Sequence, residues 1–176
     1  MRCNTAAAAS RIRRLTTTLP TKKTAKLAQL LNENPAPYRQ KAAHIQQTLQ
    51  TRLWLPKLGW YAKYQDILGL KNLHPAAGLW TIYHALDSEV PDALQAYQAL
   101  PHVDAEIPHV PVCATGLPDA GYYLLSTTNW QPYACPLNNI VLTENLHTAL
   151  ANWQASRPEA AFLLRKSALL ESMYLG

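Results

Sequence analysis

What this sequence has little of narrows it first. Charged residues make up only 15% of its 176 positions, against roughly 25% in an ordinary soluble domain. A surface so poor in charge leaves apolar area for partners. There is a single phenylalanine, and the aromatic content falls on five tryptophans and nine tyrosines. These rings join an apolar body to a polar tip and are enriched at interfaces. Six glycines are too few for Gly-rich phosphate cradles. Gly116 and Gly121 have the spacing of a phosphate loop, but the Lys-Ser/Thr that must follow is missing. The cysteines Cys3, Cys113 and Cys135 include no Cys-x-x-Cys pair. That excludes the common zinc sites and a disulfide framework, leaving buried thiols or one Cys113–Cys135 bridge. The longest apolar stretch, Gly78 to Leu86, is far short of the ~20 residues of a spanning helix, so no transmembrane helix is expected.

What charge there is lies unevenly. Residues 1–60 hold eleven Lys/Arg and one acid, Glu33, whereas residues 61–176 hold five basic and ten acidic residues. No Lys or Arg occurs from Asn72 to Ser156. The front of the chain is therefore expected to meet something anionic: an acidic protein face, rRNA, anionic lipid or an import receptor. Residues 1–20 form a basic arm with Arg2, Arg11, Arg13 and Arg14, no acid, and many small or hydroxylated residues. This is the composition of a mitochondrial transit peptide. A secretory signal is excluded, because no apolar core follows the positive start. With Lys22, Lys23 and Lys26, the arginines Arg11, Arg13 and Arg14 make a partner-binding basic tract. Trp54, Trp60, Tyr61, Trp130 and Tyr133 are the aromatic residues expected to meet partners, and the first three stand near enough to stack on unpaired bases.

Periodicity and breakers divide the chain into helices. Thr21 to Asn32 has Leu27, Leu30 and Leu31 at helical spacing, and Pro35 and Pro37 break the chain after it. Tyr38 to Leu53 carries the stripe Ala42, Ile45, Leu49 and Leu53. Trp54 to Trp60 reads as a link and Tyr61 to Leu68 as a short helix. Ala76 to Leu86 turns Leu79, Ile82, Tyr83 and Leu86 inward. A helix capped by Ser88 then buries Leu94, Tyr97 and Leu100 and stops at Pro101. The six prolines from Pro101 to Pro136 predict an extended irregular wrap, with a short strand at Tyr122 to Thr127. Thr143 caps a helix to Trp153. A capping box of Ser156 and Glu159 opens the last helix, whose apolar face is Phe162, Leu163, Leu169, Leu170 and Met173.

Candidate chemistry is sparse. His102, Asp104, Glu106 and His109 form the nearest approach to a metal set, read as a polar loop. Cys113 lacks a recognisable base and orienting group. Asp66, Asp87 and Glu89 read as acids beginning helices. Leu30 to Ile45, with Tyr38-Arg39-Gln40, resembles a short stretch of a small matrix-side accessory subunit of respiratory complex I. It spans under a tenth of the chain, and no function is carried across on it.

The expectation is a mainly α protein. It has the basic arm at 1–20, one helical domain at 21–176 with the Pro-rich segment 101–136, and room for one short strand pair. The expected function is that of a non-enzymatic accessory subunit of a mitochondrial inner-membrane complex of the respiratory chain or ATP synthase. It would lie on the matrix side or peripheral to the membrane and act through protein contacts without a cofactor. The alternative is a mitochondrial ribosomal protein whose arm binds rRNA, with anionic lipid as a further contact for the arm.

Overall fold

The computed structural model describes residues 21–126 and 140–174. These residues are mainly helical: α1 (residues 21–30), α2 (Ala36–Arg52), α3 (Leu79–Asp87), α4 (Ala93–Glu106), α5 (Leu142–Gln154) and α6 (Pro158–Tyr174). Three short antiparallel pairs interrupt them: β1 (Trp54–Leu55) with β2 (Trp60–Tyr61), β3 (Tyr64–Gln65) with β4 (Leu73–His74), and β5 (His109–Pro111) with β6 (Tyr123–Leu125). No described helix is long and apolar enough to cross a membrane.

The core is built around α3. Leu79, Trp80, Thr81, Ile82, Tyr83, Ala85 and Leu86 are all buried, as expected of a helix apolar on every side. α5 packs against both α3 and α6, forming an antiparallel helical hairpin with α6. The hairpin turns at Ser156, whose φ of 60° puts it in the left-handed position after a helix. The Arg157 amide donates back to the Asn152 carbonyl at 2.9 Å, a six-residue closure that satisfies the orphan carbonyls. Ser156 therefore ends α5; the expected capping box with Glu159 is not its role.

Four further readings of the sequence are corrected. Pro37 sits inside the first turn of α2, where its missing N–H costs nothing. The segment read as a helix from Tyr61 is the β2–β3 region. Here residues about ten apart in sequence pair, Tyr64 with His74 and Gln65 with Leu73, and local periodicity does not register such pairing. The helix before Pro101 starts from a capping box of Asp92 and Gln95, with Gln95 N donating to Asp92 Oδ1 at 2.8 Å. That helix runs through Pro101 to Glu106, so the expected wrap begins only after it, and His109–Pro111 then pairs with β6. Pro101 lies on the exposed side, while Leu100, His102 and Val103 bury the other; their burial offsets the proline's lost helix bond. Pro101→Ala restores a donor to the Tyr97 carbonyl and is expected to raise stability by about 1–3 kcal/mol, measured by urea denaturation. A loss of stability would mean that the proline is not strained there.

Which faces are buried also differs from expectation. On α4, Leu94 and Tyr97 are exposed and Ala96, Ala99, Leu100 and Val103 are inside. On α6, Phe162, Leu169 and Met173 are exposed, whereas Ala161, Leu164, Ser167 and Ala168 are buried. Small residues let α6 approach α5 closely, and the large ones are left outside. Cys113 is an exposed free thiol rather than a buried one; Cys135 lies outside the described residues.

Candidate partner-binding groove

α1 and α2 form a helical hairpin at the basic end of the described chain. Asn32, at φ 57°, closes α1, and the Glu33 amide donates to the Ala28 carbonyl at 2.8 Å. Asn34 Oδ1 then accepts the Ala36 amide at 3.0 Å, starting α2. Ala25, Ala28 and Ala42 are buried, and their small side chains let the backbones approach.

A groove of about 480 Å³ runs along this hairpin. Lys22, Lys23, Lys26 and Gln29 line it from α1, Arg39 and Gln46 from α2, and Glu89 lies at its edge. Lys22 Nζ donates to the Glu89 carbonyl at 3.0 Å and lies 3.5 Å from its Oε2. Arg39 Nη2 donates to Gln29 Oε1 at 2.8 Å, a neutral partner, and no carboxylate among the described residues pairs with it. Lys23 and Lys26 are exposed, with no carboxylate partner among the described residues. Four cations thus face one carboxylate in a concave site, an arrangement that concentrates positive potential. The groove is held to the rest of the molecule by glutamines. Gln46 and Gln50 each donate to the Val90 carbonyl at 3.0 Å, and Gln50 and Gln95 exchange a reciprocal amide pair at 2.7 and 2.9 Å.

Three of the basic residues expected at a site, Lys22, Lys23 and Lys26, come together here. Arg11, Arg13, Arg14, Trp130 and Tyr133 lie outside the described residues. The other aromatic candidates are engaged within the fold. Tyr61 is only 3% exposed, and Trp54 meets its ring edge-on at 5.0 Å. Burial, with Asp92 adding to it, pushes the Tyr61 hydroxyl well above its ordinary pKa. Trp60 donates its indole N–H to the Pro75 carbonyl at 2.8 Å and packs on His102 at 4.2 Å. Trp54 and Trp60 keep only part of their surface open. Arg39 and Gln46 escaped the sequence reading because they lie on the following helix. The helix break at Asn32 to Pro35 was the one signal that could fold them back onto the lysines.

The polar set at the end of α4 is dispersed. His102 is buried, with Nε2 at 2.9 Å from the Ala77 carbonyl. Asp104 takes Arg157 at 2.6 Å, and His109 packs on Tyr123. Among the described residues no three His, Cys, Asp or Glu converge as metal ligands. The three acids read as helix openers also differ from expectation: Asp66 bonds His74 at 2.9 Å, Asp87 ends α3, and Glu89 holds Lys22.

A titratable cluster does form between α3 and α5. Burial, and then the charge of Glu144 and its bond to the hydroxyl, raise the pKa of Tyr83, and the His147 ring stacks on Tyr83 at 5.3 Å. Beside it, burial and then His147 lower the pKa of His84, Asp87 opposing them. A histidine with a depressed folded pKa binds protons more readily once unfolded. Its stabilising effect is therefore complete above the ordinary value of 6.5 and is lost as pH falls below it. His84→Gln should flatten the decline of the melting temperature over that acidic interval, and an unchanged pH profile would dismiss His84 as its source.

The outer face of the α5–α6 hairpin is a second open surface, with Leu146, Leu150, Trp153 and Phe162 exposed around a shallow cleft beside Arg165.

No known family model matches the chain, and no curated protein matches it in sequence. In fold it is similar to a GH63 mannosylglycerate hydrolase from Thermus thermophilus, solved in complex with Tris. The TM-score is 0.65 with 17% identity, over 89% of this chain and 35% of that one. The chain therefore spans about a third of the length of that hydrolase. At such identity the likeness is one of helical fold alone.

Proposed function

We propose that this chain works by binding, as a non-catalytic accessory subunit of a mitochondrial inner-membrane complex of the respiratory chain or ATP synthase. The observation that carries the reading is the α1–α2 groove, where Lys23 and Lys26 stand beside Lys22 and Arg39 without acid partners among the described residues. Its lining includes Ala25, Ala42 and Ala43, and Leu27, Leu30 and Leu31 are exposed on the same hairpin. Mixed basic and apolar lining suits an acidic, amphipathic protein segment. Trp54, Trp60 and Tyr61, the rings expected to stack on bases, are engaged within the fold, which favours a protein over unpaired bases. The mitochondrial address rests on the composition of residues 1–20.

The test is to tag the chain at its C-terminus, fractionate cells, and run the organelle extract on a native gel with mass spectrometry. Co-migration with a membrane complex supports the reading and names the complex. Co-migration with ribosomal proteins, weakening steeply with salt, would assign the groove to rRNA instead. A free species outside mitochondria overturns both.

A second reading follows from the fold likeness. That likeness is to a carbohydrate-processing enzyme, so a sugar ligand is the competing class. Calorimetric titration with mannosylglycerate decides it: saturable heat would displace the subunit reading.

A further inference from the structure

The β3–β4 hairpin ends in a five-residue loop, 67–71, closed by the Asp66 amide donating to the Asn72 carbonyl at 2.9 Å. Gly69 at φ 68° and Lys71 at φ 54° turn the chain. Three of the five residues carry apolar side chains that lie open to water: Ile67 is 53%, Leu68 80% and Leu70 89% exposed. The stem beneath them is well held. His74 stacks on Tyr64 at 4.0 Å and bonds Asp66 at 2.9 Å, while Trp60 donates to the Pro75 carbonyl at the foot. The apolar tip is thus presented on a fixed support, and a convex turn offers no surface against which these side chains could bury one another.

In the sequence flanking the tip, charge is mostly of one sign. Between Glu33 and Asp87 the only acid is Asp66, and it is bonded to His74. The same stretch carries Arg39, Lys41, Arg52, Lys57, Lys63 and Lys71. Lys71 is in the loop itself, exposed. A projecting apolar tip that carries an exposed lysine matches an anionic bilayer interface, which takes a convex apolar group without a shaped pocket and attracts lysines to its surface. We propose that residues 67–71 insert into the headgroup–acyl boundary of an anionic lipid bilayer. Ile67, Leu68 and Leu70 enter the apolar layer and Lys71 meets the lipid's negative groups. This rests neither on the groove nor on the organelle assigned above.

The full chain should sediment with phosphatidylcholine–phosphatidylserine vesicles and much less with phosphatidylcholine alone. Leu68→Ser with Leu70→Ser should cut partitioning by about tenfold, and Lys71→Gln by about fivefold on the anionic vesicles only. Because the basic arm can also hold the chain to anionic lipid, a second readout locates the contact. The indole introduced by Leu70→Trp should shift its emission to the blue on those vesicles, relative to the parent, and be quenched by brominated lipid. The inference is overturned by a parent chain that stays in solution, by serine variants that sediment like the parent, or by emission that vesicles leave unchanged. In the first case the tip would be left to a protein pocket.

Discussion

Asn145→Leu should lower the unfolding free energy by about 2–4 kcal/mol, the largest loss expected from any single polar substitution here. Asn145 is 0% exposed. Its Oδ1 accepts the Leu125 amide at 2.7 Å, and its Nδ2 donates to the Leu125 carbonyl at 3.1 Å and the Val141 carbonyl at 3.1 Å. The side chain thus pairs with β6 on the edge away from β5, where a further strand would otherwise lie. Leucine of similar size would leave both Leu125 groups buried without partners, each at a cost of about 1–3 kcal/mol. Thr148 provides the contrast. It is equally buried, but among the described residues its hydroxyl bonds only the Glu144 carbonyl one turn back in its own helix, at 2.8 Å. Thr148→Val should cost less than about 1 kcal/mol. Urea denaturation of both variants decides the matter. An Asn145→Leu protein as stable as Thr148→Val would show that burial alone, and not the bond to the strand edge, matters at this site.

Reversing Lys23 and Lys26 together to glutamate should weaken capture of the assembly partner by at least about tenfold while leaving the fold intact. Both side chains are exposed and neither holds a carboxylate among the described residues, so the melting temperature should stay close to that of the parent. The groove would instead carry three acids against Lys22 and Arg39, and an acidic partner would be repelled where it was attracted. The effect should shrink as salt is raised, because exposed charges are screened over about 10 Å at 0.1 M. Lys22 is the internal control, since it also ties α1 to Glu89; Lys22→Ala should shift the melting temperature as well as binding. Equal recovery of the co-migrating complex with parent and Lys23/Lys26 variant at low salt would remove the groove from the interface.

How much of this was legible in the sequence depends on how local each feature is. The mainly helical class, the α1–α2 break, the inward set Leu79, Ile82, Tyr83 and Leu86, and the clustering of Lys22, Lys23 and Lys26 follow from residues within a turn or two of each other. So do the termination of α1 at Asn32 and the acceptance of Pro37 in a first turn, although the second was misjudged by treating every proline as a breaker. The composition of the groove was half legible: its lysines are contiguous, but Arg39 reaches it only when α2 folds back.

By itself the sequence determined where helices could form, where the charge would gather, and that no described helix would be long and apolar enough to span a membrane. It did so because propensity, capping and periodicity act between near neighbours, at fractions of a kcal/mol each. Where a local preference was overridden, the packing of the folded chain made the choice, and three cases show why. α6 hides Ala161, Leu164 and Ala168 and exposes Phe162, because close approach to α5 admits small side chains. α4 continues through Pro101, because burial of Leu100 and Val103 outweighs one missing helix bond. Residues 60–74 form paired strands, because Trp60 finds the Pro75 carbonyl and His74 finds Asp66. In each case the deciding energy comes from groups distant in sequence, and it exceeds the local preference it overrides.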